Sequence, residues 1–307
     1  MPGAYAHITL VNEAREPARL EAAGLRPEAR LALGRWLSYA ELGAVSPDYP
    51  YLVVNKSANK WADLMHYQHS GEMIKAGVDV VKGLAGPERE KAFAWLLGYM
   101  AHVVTDVTIH PVVELKVGDY EQHKKEHRIC EMNQDAYIYH RLNLGDVGQA
   151  EHLDSGVSHC SEADGSISES IAGVWQEMLQ RCHTDAFAAN PPRINDWHLG
   201  FRSMVDTIAE EGYRLVPLAR HVAVDCGLTY PAFDNVDRAE FIDHLETPAG
   251  VLTYDQVFDR AREHVIRHWC VVADGVTRNS NAYQTVFGNW NLDTGRDETG
   301  KLVLWEA

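Results

Sequence analysis

The sequence predicts an all-α fold that ends in a short β-hairpin. Apolar residues recur at the three- and four-residue spacing of amphipathic helices through most of the chain. A strand pattern is confined to the tail, NWNLDTGRDETGKLVLWEA, where two short runs flank a glycine-rich turn. At 46% hydrophobic and 23% charged residues, the 307-residue chain has ample material for a globular core.

Proline and glycine divide the chain into helical segments. Pro87 followed by Glu88 predicts a helix start, and Pro111 predicts a helix stop. The segment LGAVSPDYPYLVVN, with one glycine and two prolines, predicts a loop between two helices. The predicted helices span residues 7–23, 27–42, 57–82, 87–108, 120–143, 165–185, 196–224, 236–246 and 254–278.

Charge and cysteine usage limit the partners and the compartment. The net charge of −16 argues against a surface that coats nucleic acid or an anionic membrane. No run approaches the roughly 18 consecutive apolar residues of a membrane span. The N-terminus lacks the features of a secretory signal, so we expect a cytoplasmic protein. Five scattered cysteines without a CxxC pair predict reduced, buried thiols rather than a disulfide framework.

The most informative motif is a helix-spaced triplet of metal-type ligands, His102, Asp106 and His110, in GYMAHVVTDVTIHP. Steps of four residues place side chains along one face of a helix. A second pair with this spacing, His127 and Glu131 in HRICE, follows within one more helix. Imidazole and carboxylate ligands suit zinc, and a carboxylate can bridge two ions. We therefore expect two helices to present ligands for several divalent ions.

Three upstream residues complete an ordered set, namely His7 in AYAHITL, Asp48 in SPDYP and His66 in DLMHY. In this order, and with HVVTD, His110 and HRICE downstream, the set resembles the zinc-dependent phospholipase C family. The helical fold of that family is shared with the single-strand-specific zinc nucleases. The resemblance covers about residues 1–140 and implies a cluster of three zinc ions.

The resemblance also implies that the ligands group into three ion sites. The first site consists of His66, His102 and Asp106. The second site consists of His110, His127 and Glu131. The third site consists of His7, the chain's own N-terminus and a second oxygen of Asp106. Asp48 would act as the general base or orient the attacking water rather than bind an ion.

The N-terminus differs from that of the secreted family members, which expose a ligating α-amino group by removing a signal peptide. Pro2 is small enough for Met1 to be removed in the cell, and His7 would then be the sixth residue of the mature chain. The secondary amine and the carbonyl of Pro2 would then serve as zinc ligands. If Met1 stays, either the third ion would bind more weakly or the α-amino group of Met1 would have to serve as the ligand instead.

Other histidines have simpler interpretations. His69 lies on nearly the same helix face as His66, so either of the two could be the ligand. His123 lies in the charged string EQHKKEH and fits a solvated first turn. His264 and His268 lack a companion carboxylate at helical spacing, which favours packing over metal binding.

The predicted function is hydrolysis of a phospholipid or related small phosphodiester, with a metal-bound hydroxide as the nucleophile. The expected cofactor is Zn²⁺, with two or three ions per chain and Mn²⁺ or Fe²⁺ as alternatives. The rival interpretations are a nuclease or nucleotidase on the same fold, and a metal-stabilised helical module without activity. The acidic net charge and the absence of basic stripes argue against extended nucleic acid as the substrate.

The predicted organisation has three parts. Residues 1–145 form the part of the catalytic domain that carries the zinc ligands. Residues 146–164 are rich in glycine, serine and aspartate and form a polar connection. Residues 165–307 form a helical extension that packs on the first part as one globular unit.

Overall fold

Helices dominate the computed structural model, which confirms the predicted all-α class. The structure describes residues 3–53, 56–145, 147, 156, 158–211 and 230–305, without the side chains of residues 56 and 204–211. The longer helices are α1 (Ala4–Ala14), α2 (Pro17–Ala22), α3 (Pro27–Arg35), α4 (Leu37–Val45), α5 (Lys56–Tyr67), α6 (Ser70–Lys82), α7 (Gly86–Val117), α8 (Lys124–Tyr139), α9 (Glu169–Cys182), α10 (Thr184–Ala189), α11 (Ile194–Glu211) and α13 (Tyr254–Arg278). The short elements are α12 (Arg238–Phe241), α14 (Tyr283–Val286), the strands β1 (Leu245–Thr247), β2 (Gly250–Leu252), β3 (Trp290–Asn291) and β4 (Arg296–Asp297), and the 3₁₀ segments Ser46–Leu52, His140–Leu142 and Phe233–Asn235.

Helix α7 forms the centre of the fold. It is buried without interruption from Ala92 to Val113, and α4, α6 and α13 pack around it. Helix α7 is long enough, and its most apolar stretch of 18 residues is hydrophobic enough, to cross a membrane, but that whole stretch is buried inside the fold. The apolar character of α7 is therefore explained by its central position in the core.

Helices α4 and α7 approach each other closely enough for their backbones to touch. A Cβ atom on Gly98 would lie 1.9 Å from the carbonyl oxygen of Ala40, and one on Gly43 would lie 2.0 Å from that of Trp95. The Trp95 indole also donates a hydrogen bond of 2.9 Å to the Ser46 hydroxyl, at the start of the first 3₁₀ segment. Glycine is needed at this crossing, which sets the first 3₁₀ segment directly beside α7.

The predicted helix stop at Pro111 is wrong, because α7 continues past it without a break. Proline has no N–H to donate to the carbonyl of Val107, and such a loss normally kinks or ends a helix. Here the C-terminal tail packs over the turn of α7 that lacks this hydrogen bond. Gly295 packs against Pro111 and the Val107 carbonyl, and the Trp305 indole donates a hydrogen bond of 2.8 Å to the Thr108 carbonyl.

Four other predicted helices also differ from the structure. The helix predicted over 7–23 is divided between α1 and α2, and the helix predicted over 27–42 is divided between α3 and α4. The helix predicted over 57–82 is divided at His69, which adopts the left-handed conformation with φ 57°. The helix predicted over 236–246 is wrong beyond α12, because the chain turns into the antiparallel pair β1–β2. The predicted terminal hairpin is confirmed, since β3 pairs antiparallel with β4 in the register Trp290–Asp297.

Helices of the predicted extension pack on those of the first part. Helix α9 contacts α6, and α13 contacts α7, where the Trp269 indole donates a hydrogen bond of 2.8 Å to the Leu97 carbonyl. Most of the predicted connection 146–164, like the second half of the helix predicted over 196–224, lies outside the described residues. The boundaries of the three predicted parts stay a prediction.

Candidate metal centre

Helix α7 carries three of the predicted ligands on one buried face. His102 and Asp106 are fully buried, and His110 is 2% exposed. Because successive ligands are four residues apart, they follow one another along the helix with only a small rotation. The face turns towards α1, α5 and the first 3₁₀ segment, which bring in the remaining upstream residues.

The two oxygens of Asp106 face different histidines. Oδ1 lies 3.2 Å from Nε2 of His7 on α1. Oδ2 lies 3.1 Å from Nε2 of His102 and 3.9 Å from Nε2 of His66 on α5. The rings of His7 and His102 stack at a centroid distance of 4.1 Å. This arrangement is suited to a carboxylate that bridges two metal ions.

Asp48 joins the same cluster from the 3₁₀ segment. Its Oδ1 atom lies 3.2 Å from Nε2 of His66 and 4.0 Å from Nε2 of His102. Two overlapping sets each bring three ligand atoms within 4.8 Å of one another, namely His66 with His102 and Asp106, and His7 with Asp48 and His102. The geometry therefore lets Asp48 act either as a ligand or as a neighbouring base.

Eight buried atoms of these candidate ligands make no hydrogen bond of good geometry with the described residues, and the closest approaches among them are the imidazole–carboxylate distances of 3.1–3.2 Å. Buried polar atoms are nearly always hydrogen-bonded, so a group of exceptions requires an explanation. Imidazole nitrogen and carboxylate oxygen atoms that are grouped together and buried are a donor set that binds zinc. The residues present thus fit a metal cluster. The unpartnered atoms are Nδ1 and Nε2 of His7, Oδ1 of Asp48, Oδ1 and Oδ2 of Asp106, and Nε2 of His66, His102 and His110.

Backbone carbonyls orient three of the imidazole rings. Nδ1 of His66 donates to the Ala62 carbonyl and Nδ1 of His102 donates to the Ala44 carbonyl, each at 2.8 Å. Nδ1 of His110 donates to the carbonyl of Leu292 in the C-terminal hairpin. A proton held on Nδ1 leaves the lone pair on Nε2, which is the atom that faces the cluster.

The second predicted ion site is partly assembled. Nε2 of His110 lies 4.0 Å from Oε1 of Glu131 on α8. His127 is buried one turn before Glu131, and its Nε2 donates a hydrogen bond of 2.6 Å to the Gly118 carbonyl, so its lone pair is on Nδ1. Pro2, the predicted N-terminal ligand, lies outside the described residues.

Burial and mutual charge perturb the pKa values of these groups. Burial alone would raise the pKa of Asp48 and Asp106, but the His102 imidazole holds both below their usual range. Burial alone would lower the pKa of His102, but the two carboxylates raise it to about 9. Burial lowers the pKa of His110 to about 3 and raises that of Glu131 to about 7. A divalent ion would bind ionised carboxylates and displace the His102 proton.

The structure distinguishes between His66 and His69, the two alternative ligands at the end of α5. His66 joins the cluster, whereas the ring of His69 contacts that of His183 at a centroid distance of 5.4 Å. The left-handed conformation of His69 ends the helical face that the two residues would share. The sequence alone left this choice open.

Two contributions to the site were missed in the sequence. Asp135 accepts hydrogen bonds from the backbone amides of Tyr5 and Ala6, at 3.2 and 3.1 Å, and so holds the first turn of α1 immediately before His7. Its position four residues after Glu131, on the same helix face, is a signal that could have revealed it. The Leu292 carbonyl had no such signal, because every residue has a carbonyl.

Comparison with known families agrees with this geometry. Residues 6–185 match the family described as zinc-dependent phospholipase C. The match extends beyond about residue 140, where the resemblance seen in the sequence ends. Every described candidate ligand lies inside the match, and the C-terminal hairpin lies beyond it. Neither the search of curated proteins nor that of solved structures returns a match. Since the match spans more than half of the chain, the protein belongs to the zinc-dependent phospholipase C family.

Proposed function

We propose that this protein is a zinc-dependent phosphodiester hydrolase that acts on a phospholipid or a related small phosphodiester. The observation that carries the proposal is the cluster of buried, unpartnered nitrogen and oxygen atoms within the family match. A structural zinc site usually has four protein ligands around one ion. Here the two sets of three ligand atoms overlap, which favours ions with open coordination positions.

The proposed cofactor is two or three Zn²⁺ ions, and Mn²⁺ or Fe²⁺ would bind the same donor types. Asp106 would bridge two ions, because its two oxygens face separate histidines. The proposed sets are His66, His102 and Asp106 for one ion, His7 and Asp106 with the N-terminus for another, and His110, His127 and Glu131 for a third.

Bound zinc would supply Lewis acidity to the phosphoryl oxygens and lower the pKa of a coordinated water towards about 7. Asp48 would accept the proton from the attacking water at Oδ1 or orient that water. Its side chain is 13% exposed, whereas those of His66, His102 and Asp106 are fully buried. Asp48 is therefore the member of this group whose side chain reaches solvent.

The test combines metal analysis with hydrolysis of bis-p-nitrophenyl phosphate. We expect at least two metal ions per chain after zinc reconstitution, and turnover of the diester. Asp48→Asn should abolish turnover with metal content nearly unchanged, whereas Asp106→Asn should lose both, since it would bridge two ions. Glu263→Gln, which removes an exposed carboxylate from α13, is the matched control and should preserve both properties.

Each contrary result has a distinct meaning. At most one ion per chain would refute the cluster. A full complement of ions without hydrolysis of any phosphodiester would indicate a metal-stabilised module instead of an enzyme. Equal metal loss in the Asp48 and Asp106 variants would show that Asp48 is an ordinary ligand. Preferential turnover of nucleotides over phosphocholine esters would favour the nucleotidase alternative.

A further inference from the structure

The C-terminal hairpin bridges two of the candidate ligands through one residue. The amide of Leu292 donates a hydrogen bond of 3.0 Å to the backbone carbonyl of His66, and its carbonyl accepts from Nδ1 of His110. Leu292 is fully buried. The next residue, Asp293, is therefore held at the edge of the metal centre between α5 and α7.

Local contacts fix the position of Asp293. Its Oδ2 atom accepts a hydrogen bond of 2.6 Å from the hydroxyl of Tyr67, the residue after His66. Its amide donates a hydrogen bond of 3.0 Å to Oδ1 of Asn291. The side chain is half-buried, and Tyr67 is 37% exposed, so the pair lies where the centre meets solvent.

The Asp293 carboxylate has no ion pair with a lysine or arginine of the described part of the chain. Its negative charge affects the pKa values of residues on three elements around the metal centre. Burial is the main cause of the raised pKa of Glu131 on α8 and of Tyr51 in the 3₁₀ segment, and the Asp293 charge raises both further. The same charge opposes the burial that lowers the pKa of His110 on α7. The Asp293 carboxylate, which has no cationic partner among the described residues, thus lies beside the site, where the hairpin meets Tyr67.

We propose that Asp293 is a specificity-determining residue that admits phosphodiesters and excludes phosphomonoesters. A phosphodiester carries one negative charge, whereas a phosphomonoester carries close to two near neutral pH, because its second pKa is about 6. A fixed carboxylate at the entrance repels the dianion more strongly than the monoanion, which discriminates between the two substrate classes. This inference rests on the proposed function and assigns a role to a residue outside the family match.

The test is the isosteric variant Asp293→Asn, which removes the charge and keeps an oxygen for the Tyr67 hydroxyl. The measured quantity is the ratio of kcat/KM for p-nitrophenyl phosphate to that for bis-p-nitrophenyl phosphate. We expect the ratio to rise roughly tenfold, which is less than two charges in contact near a protein surface would give, because Asp293 lies at the edge of the centre. The dissociation constant of inorganic phosphate, measured by calorimetry, should fall by at least the same factor, because phosphate carries more than one negative charge near neutral pH, and metal content should stay unchanged.

Two control variants separate charge at this position from other effects. Glu298→Gln removes a negative charge from the exposed turn that follows β4 and should leave the ratio within twofold. Tyr67→Phe removes the hydrogen bond but keeps the Asp293 charge, so its ratio should also stay within twofold. An equal shift in either control would overturn the assignment.

The remaining outcomes are also decisive. An unchanged ratio and an unchanged phosphate affinity in metal-loaded Asp293→Asn would overturn the proposal. If that variant loses metal, the same measurements on Asp293→Ser, which is also neutral, decide the question. Metal loss in both variants would show that Asp293 holds the centre together and would overturn the selectivity role. If the unchanged protein hydrolyses neither ester, the proposed function fails, while phosphate binding still tests the repulsion.

Discussion

Gly98→Ala is expected to destabilise this protein, although the same change in an open helix would stabilise it. Helix propensity alone favours alanine over glycine by about 0.5–1 kcal/mol. At this position the new Cβ would lie 1.9 Å from the carbonyl oxygen of Ala40, whereas ordinary contact begins at 3.4 Å. The obstacle is backbone, which cannot rotate away as a side chain would. Helices α4 and α7 must therefore separate by about 1.5 Å.

The cost of that separation exceeds the gain in propensity. Overpacking a tight core contact costs typically about 1–3 kcal/mol, and occasionally more. We expect a net loss of about 2 kcal/mol in the free energy of unfolding. The movement also displaces the Ala44 carbonyl, which orients His102 at 2.8 Å, so zinc affinity should fall together with stability.

Urea unfolding and elemental analysis test this expectation. The matched control is Gly173→Ala on α9, where a Cβ meets nothing within 4 Å. That variant should gain about 0.5–1 kcal/mol and keep its metal. If Gly98→Ala is as stable as the unchanged protein and retains its full metal complement, then the backbone contact between α4 and α7 is not as close as described.

Three further predictions concern the metal centre and α1. Asp135→Ala removes the acceptor of the buried Tyr5 amide and one of the two acceptors of the Ala6 amide, which keeps the Gly3 carbonyl at 3.1 Å, so we expect a loss of about 1–3 kcal/mol in urea unfolding; a loss below about 0.5 kcal/mol would contradict this role. Removal of metal by a chelator should lower the melting temperature, and added zinc should restore it, because ions that bind only the folded state stabilise that state. An unchanged melting temperature would argue against metal in the folded protein. An uncleaved N-terminal extension should displace one ion and lower activity, and its removal should restore both; full metal content in the extended protein would show that the N-terminus is not a ligand.

Features that depend on neighbours in sequence were predictable. The spacing of His102, Asp106 and His110 indicates one helix face, because a four-residue step rotates little around a helix axis. The glycine-rich turn in the tail likewise indicates a hairpin, because turn residues and short strands are adjacent in the chain. In both cases the local backbone conformation contains the relevant information.

Local rules failed where distant residues supply the missing interactions. Pro111 should end a helix, but Trp305 and Gly295 cover the weakened turn of α7. The pair Ser70-Gly71 directly after His69 is a turn signal, but the left-handed conformation of His69 itself is visible only in the folded chain. The sequence lists these residues, but the contacts between them form only when the chain folds.

The sequence by itself determined the helical class, the donor types and the order of the candidate ligands. Only the tertiary structure decided which donors meet. The crossing of α4 and α7 puts Asp48 near His102, and the bridge from Leu292 to His110 spans 182 positions along the chain. Such pairings depend on how helices and a hairpin pack in three dimensions, and a backbone carbonyl looks alike at every position of a sequence.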